Sequence, residues 1–227
     1  TSEVTPELIR QDPQNKLLGR APRYRLHAFA LRDSLLASSG LLVDKVGGVP
    51  AKPYMPPKIW RSISNNSYKQ GKGDDLYRRS IYTFWRRTIP PPTMVNFNSA
   101  DREVCNVRKD RTNTPLQALT QMNNVAFVEA ARFLAERMLA HSDDPRLAIE
   151  FGFQQLMARG PKQVEMDLLL AANRDFKTNY RSKPQAAKML LSGGQKKRDE
   201  KLDLTDHAAM TMVASLLMNL DEAVTRE

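Results

Sequence analysis

Helical periodicity over residues 114 to 220 is the feature that most constrains the fold of this chain. Two start signals stand out there: Thr114 precedes Pro115, and Asp144 precedes Pro145. In each pair a capping side chain is followed by a proline at the first helical position, where a missing N–H costs nothing. Apolar residues then recur every three or four positions, which is typical of amphipathic helices. The pattern predicts about five consecutive helices and a mainly α fold.

The apolar stripes predict which helix faces pack inward. Leu116, Leu119 and Met122 follow the first start signal at helical spacing, and we expect them to face the core. Arg132 and Glu136 are expected to pair on the opposite side of the next helix. The other predicted core stripes are Phe127, Ala131, Leu134 and Met138; Val164, Leu168, Ala172 and Phe176; and Ala209, Met212, Val213, Leu216, Leu217 and Leu220.

The N-terminal part of the chain shows a different pattern. Tyr24, Ala28, Leu31 and Leu35 recur at helical spacing, so residues 23 to 39 predict one amphipathic helix. Frequent glycine and proline then predict an irregular connection. The segment "RSIYTFW" follows at residues 79 to 85, and its β-branched and aromatic residues favour a strand.

These patterns divide the chain into three parts. The predicted parts are an N-terminal helical segment at residues 1 to 40, an irregular connection at 41 to 75, and a helical C-terminal domain at 76 to 227. One domain overall is the alternative. The C-terminal part is expected to include a small irregular or short-stranded segment around residues 79 to 107.

The chain is strongly basic. Its 35 Lys and Arg residues against 25 Asp and Glu residues give a net charge of +10. Much of the excess lies between Leu76 and Arg111 and between Arg181 and Lys201. Such runs usually form a solvated surface or arginines paired within the fold. An anionic polymer is the alternative, because clustered cations gain affinity by releasing counterions. Nucleic acid ranks behind a polysaccharide, since the aromatic residues near the first run are expected to pack inward.

No catalytic or metal-binding motif is found in the sequence. His27, His141 and His207 lie far apart without ligand spacing, so no metal site is predicted. Phosphate-binding glycine loops and the nucleophile elbow are also missing. Arginines beside Cys105 could lower its pKa, but the alternation in "VCNV" favours a buried, unreactive thiol. Whether the chain is an enzyme therefore stays open.

Two further observations concern the place of the chain in the cell. The longest mostly apolar stretch, residues 208 to 220, is too short to cross a bilayer, so no transmembrane segment is predicted. The first residue is Thr1 rather than methionine, which predicts that the chain is a piece of a longer protein.

A long stretch of the chain resembles a known family. Residues 78 to 139, which contain the specific motif "RTNTPLQAL", and residues 212 to 227 are similar to the planctomycete-type C-terminal domain of unknown function numbered fifteen fifty-three. The resemblance covers nearly the whole chain. It implies an exported, periplasmic or cell-surface protein whose missing upstream part often carries a cytochrome c domain. No cofactor is expected in this fragment, although haem would belong to that upstream domain.

Two functional hypotheses follow. In the first, the chain is a helical accessory or docking domain that holds the missing upstream domains. In the second, it binds or degrades an anionic polysaccharide through an arginine-rich surface. The same residues are candidates for either an internal network or anion contacts: Arg86, Arg87, Arg102, Glu103, Arg108, Arg111 and Asn113.

Overall fold

Helices dominate the computed structural model, which describes residues 4–21, 23–56, 58–63, 67–100, 105, 107 and 111–226. The helices are α1 (Pro6–Gln11), α2 (Ala28–Ser38), α3 (Ile59–Ile63), α4 (Pro92–Asn96), α5 (Pro115–Asn123), α6 (Val125–His141), α7 (Pro145–Met157), α8 (Gln163–Ser182), α9 (Pro184–Leu191), α10 (Leu204–Met218) and α11 (Asp221–Val224). Strands β1 (Tyr24–Arg25) and β2 (Thr225–Arg226) pair antiparallel. The predicted mainly α fold is confirmed.

The core is built around α10, which packs against α6, α7, α8 and α9. Met210, Val213 and Leu217 of this helix are almost completely buried. Helices α6 and α7 approach closely at Gly152, where an added Cβ would lie 2.6 Å from the Met138 sulfur. The main hydrophobic cluster runs from α2 in the N-terminal part to α11 near the other end.

Capping side chains fix the starts of the main helices. Thr114 and Gln117 form a reciprocal capping box at α5. Asn124, Asp144 and Asp203 each accept a backbone N–H at the start of α6, α7 and α10, respectively. The helical region predicted from residue 114 onwards thus contains α5 to α10.

The N-terminal part differs from its prediction at two places. The predicted helix at 23 to 39 begins only at Ala28, because Tyr24 and Arg25 form β1 and pair with β2. The strand predicted at 79 to 85 is instead a 3-10 turn over Ser80–Tyr82, followed by an isolated bridge from Thr83 to Ala51. Strand-forming residues do not make a strand there, because the neighbouring segment meets them at isolated bridges only.

Several predicted core stripes face outward. Leu116 and Leu119 are 60% and 57% exposed, and α5 buries Gln117 and Gln121 instead. Val164 is also well exposed. The amphipathic pattern was misleading because α5 turns amide side chains inward, toward backbone groups that need hydrogen bonds.

None of the helices in the described ranges is long and apolar enough to cross a membrane.

Candidate functional site

The residues of the "RTNTPLQAL" motif form a junction between distant parts of the chain. Asn113 accepts a hydrogen bond through Oδ1 from the guanidinium of Arg25 in β1. The Arg111 guanidinium lies 4.2 Å from the centre of the Tyr24 ring. The segment before α5 is therefore attached to the strand pair that joins residues 24–25 to residues 225–226.

Gln117 connects the same motif to the loop after α4. Its amide nitrogen donates to the Asn96 carbonyl and to Asn98 Oδ1, both at 2.9 Å. The Thr112 hydroxyl donates to the same Asn98 oxygen at 2.8 Å. Asn96 also donates to the Thr120 hydroxyl at 2.6 Å. Only 1% of Gln117 is exposed, so this buried amide has a structural role and links α5 to the end of α4.

Arg25 is the buried charge at this junction. It is 8% exposed, and burial lowers its pKa from the ordinary value. Its guanidinium lies 5.7 Å from the centre of the Phe97 ring, and its Nε has no hydrogen-bond partner in the described part of the chain. Loss of the Asn113 acceptor would leave this cation poorly satisfied.

A second arginine fixes the irregular connection. Arg78 is 2% exposed and donates to the backbone carbonyls of Lys45, Gly47 and Val49, at 2.8 Å for Val49. Its guanidinium also lies 4.2 Å from the centre of the Tyr82 ring. These contacts fix the position of a glycine-containing loop that has no regular secondary structure.

Helix α2 anchors the other side of this connection. Arg32 donates to the carbonyls of Leu76 and Arg78 at 2.7 and 2.9 Å. Asp33 accepts hydrogen bonds from the backbone N–H and the hydroxyl of Ser80. Burial lowers the pKa of Arg32, and the neighbouring Asp33 carboxylate opposes that shift.

A buried carboxylate lies at the centre of a separate network. Glu129 is fully buried on α6 and accepts hydrogen bonds from the hydroxyls of Tyr54 and Tyr77, each at 2.9 Å. The backbone N–H groups of Gln195 and Lys196 donate to it at 2.8 and 2.9 Å. One side chain thus joins the irregular connection, α6 and the loop after α9.

The surroundings of Glu129 explain how a carboxylate is tolerated there. Arg132, 1% exposed, lies 3.6 Å from Glu129 and supplies the opposite charge. Gly194 has a positive φ of 92°, and an added Cβ would overlap the Glu129 carboxyl group. Burial, together with hydrogen bonding to Glu129, raises the pKa of Tyr54 to about 12. Arg132 was predicted to be on the solvent side with Glu136, and its burial corrects that prediction.

His207 is buried beside this network. Its Nε2 lies 3.4 Å from the Arg132 carbonyl and 3.6 Å from Glu136 Oε1. Burial lowers the pKa of His207 to about 4, so the ring is neutral at pH 7. His27 caps α2 and His141 stacks on Phe151 with ring centres 4.6 Å apart. Among the described residues, no group of His, Cys, Asp and Glu could hold a metal ion.

Four of the seven predicted site residues are described, and two of these four, Arg111 and Asn113, lie together at the β1 junction. Arg86 lies over the Trp60 ring at 5.8 Å, whereas Arg111 lies over Tyr24. Arg87 is exposed, and Asn113 binds Arg25. The remaining three, Arg102, Glu103 and Arg108, lie outside the described residues.

The predicted burial of Cys105 is wrong. Its thiol is exposed, and the neighbouring Val107 is fully exposed as well. Alternation such as "VCNV" buries side chains only where a partner strand completes a sheet, and Cys105 belongs to no strand.

The sequence pattern did not single out Arg25, Glu129 or Gly194. Buried carboxylates and arginines are rare, and nothing local distinguishes Glu129 from an exposed helical glutamate. Gly194 gives a weak signal, since a Gly–Gly pair such as Gly193–Gly194 is typical of a turn but does not indicate which side chain the glycine must avoid.

A half-open cavity of about 330 Å³ lies between α2, the end of α7 and the α11–β2 segment. Its lining mixes apolar side chains such as Leu26 and Leu156 with Glu222 and Arg226. Glu222 is already bound to Arg159, which also binds Glu165. The arrangement contains no pair of groups placed for acid–base or nucleophilic chemistry.

Comparison with known proteins identifies one family. The family model described as PSD1, protein of unknown function (DUF1553), matches residues 1–172. No curated protein matches the chain, and no solved structure matches it.

Proposed function

Because the chain belongs to the PSD1 family of proteins of unknown function (DUF1553), we propose that it is a helical docking domain of a larger exported protein. In this proposal it holds the upstream domains of the same polypeptide, including a haem-bearing cytochrome c domain. The domain is located in the periplasm or on the cell surface, and haem is bound by the upstream domain.

The contacts of four arginines with other parts of the chain are the observation that supports docking over polyanion binding. Arg78 is almost completely buried against backbone carbonyls. Arg79 pairs with Asp44 at 2.9 Å, Arg86 lies on Trp60, and Arg111 lies on Tyr24. A groove for sulfates or carboxylates needs guanidinium groups that point together into solvent. These four instead contact separate parts of the chain itself.

The alternative, an anionic-polysaccharide module, predicts a different response to substitution. We would replace Arg111 with Gln and Asn113 with Ala together, and use Arg87→Gln as the matched control at an exposed arginine. If the motif is a structural junction, the double variant leaves buried Arg25 without its acceptor, at a cost of about 1–3 kcal/mol. A melting temperature lowered by several degrees, with Arg87→Gln unchanged, is expected in thermal unfolding followed by circular dichroism.

Binding to a sulfated glycan is measured on the same three proteins at low and high salt. Binding that falls steeply with salt in the parent and is lost in a double variant of unchanged stability would overturn the docking proposal. The upstream sequence of the gene gives a second test. An export signal and a C-x-x-C-H haem attachment motif are expected there, and a gene that starts at residue 1 would refute the multidomain proposal.

A further inference from the structure

The loop that follows α1 holds two neighbouring leucines out in solvent. Leu17 and Leu18 are 81% and 82% exposed. The helix before them, α1, contains no buried residue. We refer to residues 12–20 as the leucine loop. Single exposed leucines are common on protein surfaces, but a neighbouring pair held out by an ordered loop needs a physical reason.

Hydrogen bonds within the leucine loop fix its shape. The Asp12 carboxylate accepts hydrogen bonds from the backbone N–H groups of Lys16 and Leu17, at 2.8 and 2.6 Å. The Asn15 side chain exchanges two hydrogen bonds with the backbone of Arg20, at 2.8 and 3.1 Å. The Arg20 guanidinium donates to the Asp12 carbonyl at 3.1 Å. These bonds close the base of the loop, so the leucines are held at its tip.

The backbone of the leucine loop adopts a conformation that residues other than glycine rarely take. Asn15 and Leu18 have φ values of 52° and 53°, in the left-handed region. Asparagine tolerates this region, whereas leucine adopts it at an energetic cost. Gly19 lies against α1, where an added Cβ would be 3.7 Å from Leu8. A strained residue that is held in solvent indicates a role beyond the folding of this chain.

We propose that the leucine loop is the surface by which this chain holds its upstream domain, and that Leu17 and Leu18 enter an apolar pocket of that domain. This inference rests on the proposed docking function and names the surface that performs it. Because the loop is already ordered, its backbone loses little conformational freedom when the leucines bind.

The small size of the contact favours an occupant that is covalently attached. Free partners that form stable complexes bury about 800 Å² on each side, which two leucines on one loop do not provide. An attached domain needs a smaller contact, because a short linker gives it a local concentration in the millimolar range. In the proposed function the upstream domain continues into Thr1, which lies only 16 positions before Leu17. A second copy of the chain has no such linker, and the net charge of +10 on each copy opposes its approach.

Hydroxyl-radical footprinting read by mass spectrometry tests the proposal without any substitution. The two samples are this chain and the full-length gene product, both at low micromolar concentration. Oxidation follows exposure to solvent, so Leu17 and Leu18 should be oxidised at least about fivefold more slowly in the full-length protein, where the pocket excludes water. Val46, which is 83% exposed between α2 and α3, is the internal control and should be oxidised equally in both.

Three outcomes would overturn the proposal. The first is equal oxidation of the two leucines in both proteins. The second is the same protection at Val46, which would indicate general shielding. The third is protection of the leucines in this chain alone at millimolar concentration, because a second copy would then be the occupant.

A substitution measures how much the leucine pair contributes. Leu17→Asp combined with Leu18→Asp should not lower the melting temperature of this chain, since both side chains are exposed and aspartate tolerates the left-handed region. In the full-length protein the same change should lower it by at least about 2 °C, because a contact made only in the native state is lost. Val46→Asp is the matched control and should have no effect in either protein. A full-length double variant that melts like its parent would contradict the proposal.

The docking function and the leucine loop fail in different ways. A gene that starts at residue 1 refutes the docking function, and the leucine loop with it. An upstream domain that is present but leaves Leu17 and Leu18 as reactive as in this chain refutes the leucine loop alone.

Discussion

Replacing Glu129 with Gln is the most direct test of the network that joins three parts of the chain. The amide keeps the size of the side chain and removes its negative charge. The three hydrogen bonds to Oε1, from Tyr77, Gln195 and Lys196, would become bonds to a neutral acceptor. At the position of Oε2, the Tyr54 hydroxyl would face an NH₂ group and lose its acceptor. The Tyr54 oxygen already accepts a hydrogen bond from the Gln195 N–H.

The expected loss of stability is large. A hydrogen bond to a charged group contributes about 1.5–3 kcal/mol and a neutral one about 1, so the four bonds together weaken by about 2–8 kcal/mol. Breaking a buried ion pair by removing one partner costs about 3–5 kcal/mol, and Arg132 would be the charge left behind. These terms overlap, so we expect a total of about 3–5 kcal/mol. For a chain of this length, that lowers the melting temperature by about 10 °C.

Urea unfolding followed by circular dichroism at 222 nm measures the free energy, and a thermal scan measures the melting temperature. Glu200→Gln is the matched control, because Glu200 is exposed in the loop that contributes Gln195 and Lys196. If Glu129→Gln were no less stable than Glu200→Gln, the network around Glu129 would not stabilise the fold as we have argued.

Two further predictions concern the same region. Gly194→Ala is expected to lower the free energy of unfolding in urea by at least about 2 kcal/mol, because the residue has a positive φ and an added Cβ would overlap Glu129. The control Gly193→Ala should lower it much less, because an added Cβ there meets ordinary contacts only. The low pKa of His207 means that this ring takes up a proton near pH 6.5 in the unfolded chain and only near pH 4 in the folded chain. The free energy of unfolding should therefore fall by up to about 3 kcal/mol as the pH drops from 6.5 to 4. In His207→Gln this slope should be reduced, while a control that keeps His207, His141→Gln, should retain it; identical slopes in all three proteins would contradict the assignment. Burial raises the pKa of Glu136, so protonation of Glu136 makes stability rise as the pH falls and opposes the contribution of His207.

The predictable part of the fold rests on signals that lie close together in the sequence. Thr114 and Pro115 predicted the start of α5, and Asp144 and Pro145 that of α7, because a cap and its helix are neighbours in the chain. The pattern does not say which neighbour a helix face will meet. Leu119 looked like a core residue and is exposed, because other elements supply backbone groups that bind the amides of α5.

The candidate site was less predictable for the same reason. Asn113 was singled out from the sequence, but its partner Arg25 lies 88 positions earlier and gives no local signal. Glu129 and its donors are far apart in the sequence, and no spacing rule connects them. Charge was visible in the sequence, whereas the burial of Arg78 and Arg132 depends on the tertiary fold.

The pairing of β1 with β2 has a consequence for how the chain reaches its native state during synthesis. Arg25 lies opposite Thr225, so this ladder closes only after 200 further residues have been made. At about 5–20 residues per second, roughly 10–40 s separate the appearance of the two strands. Asn113 emerges about halfway through that interval and offers Arg25 an earlier partner. The contact with Asn113 also closes a loop of 88 residues, whereas the ladder closes one of 200, so the first loop costs less entropy to close.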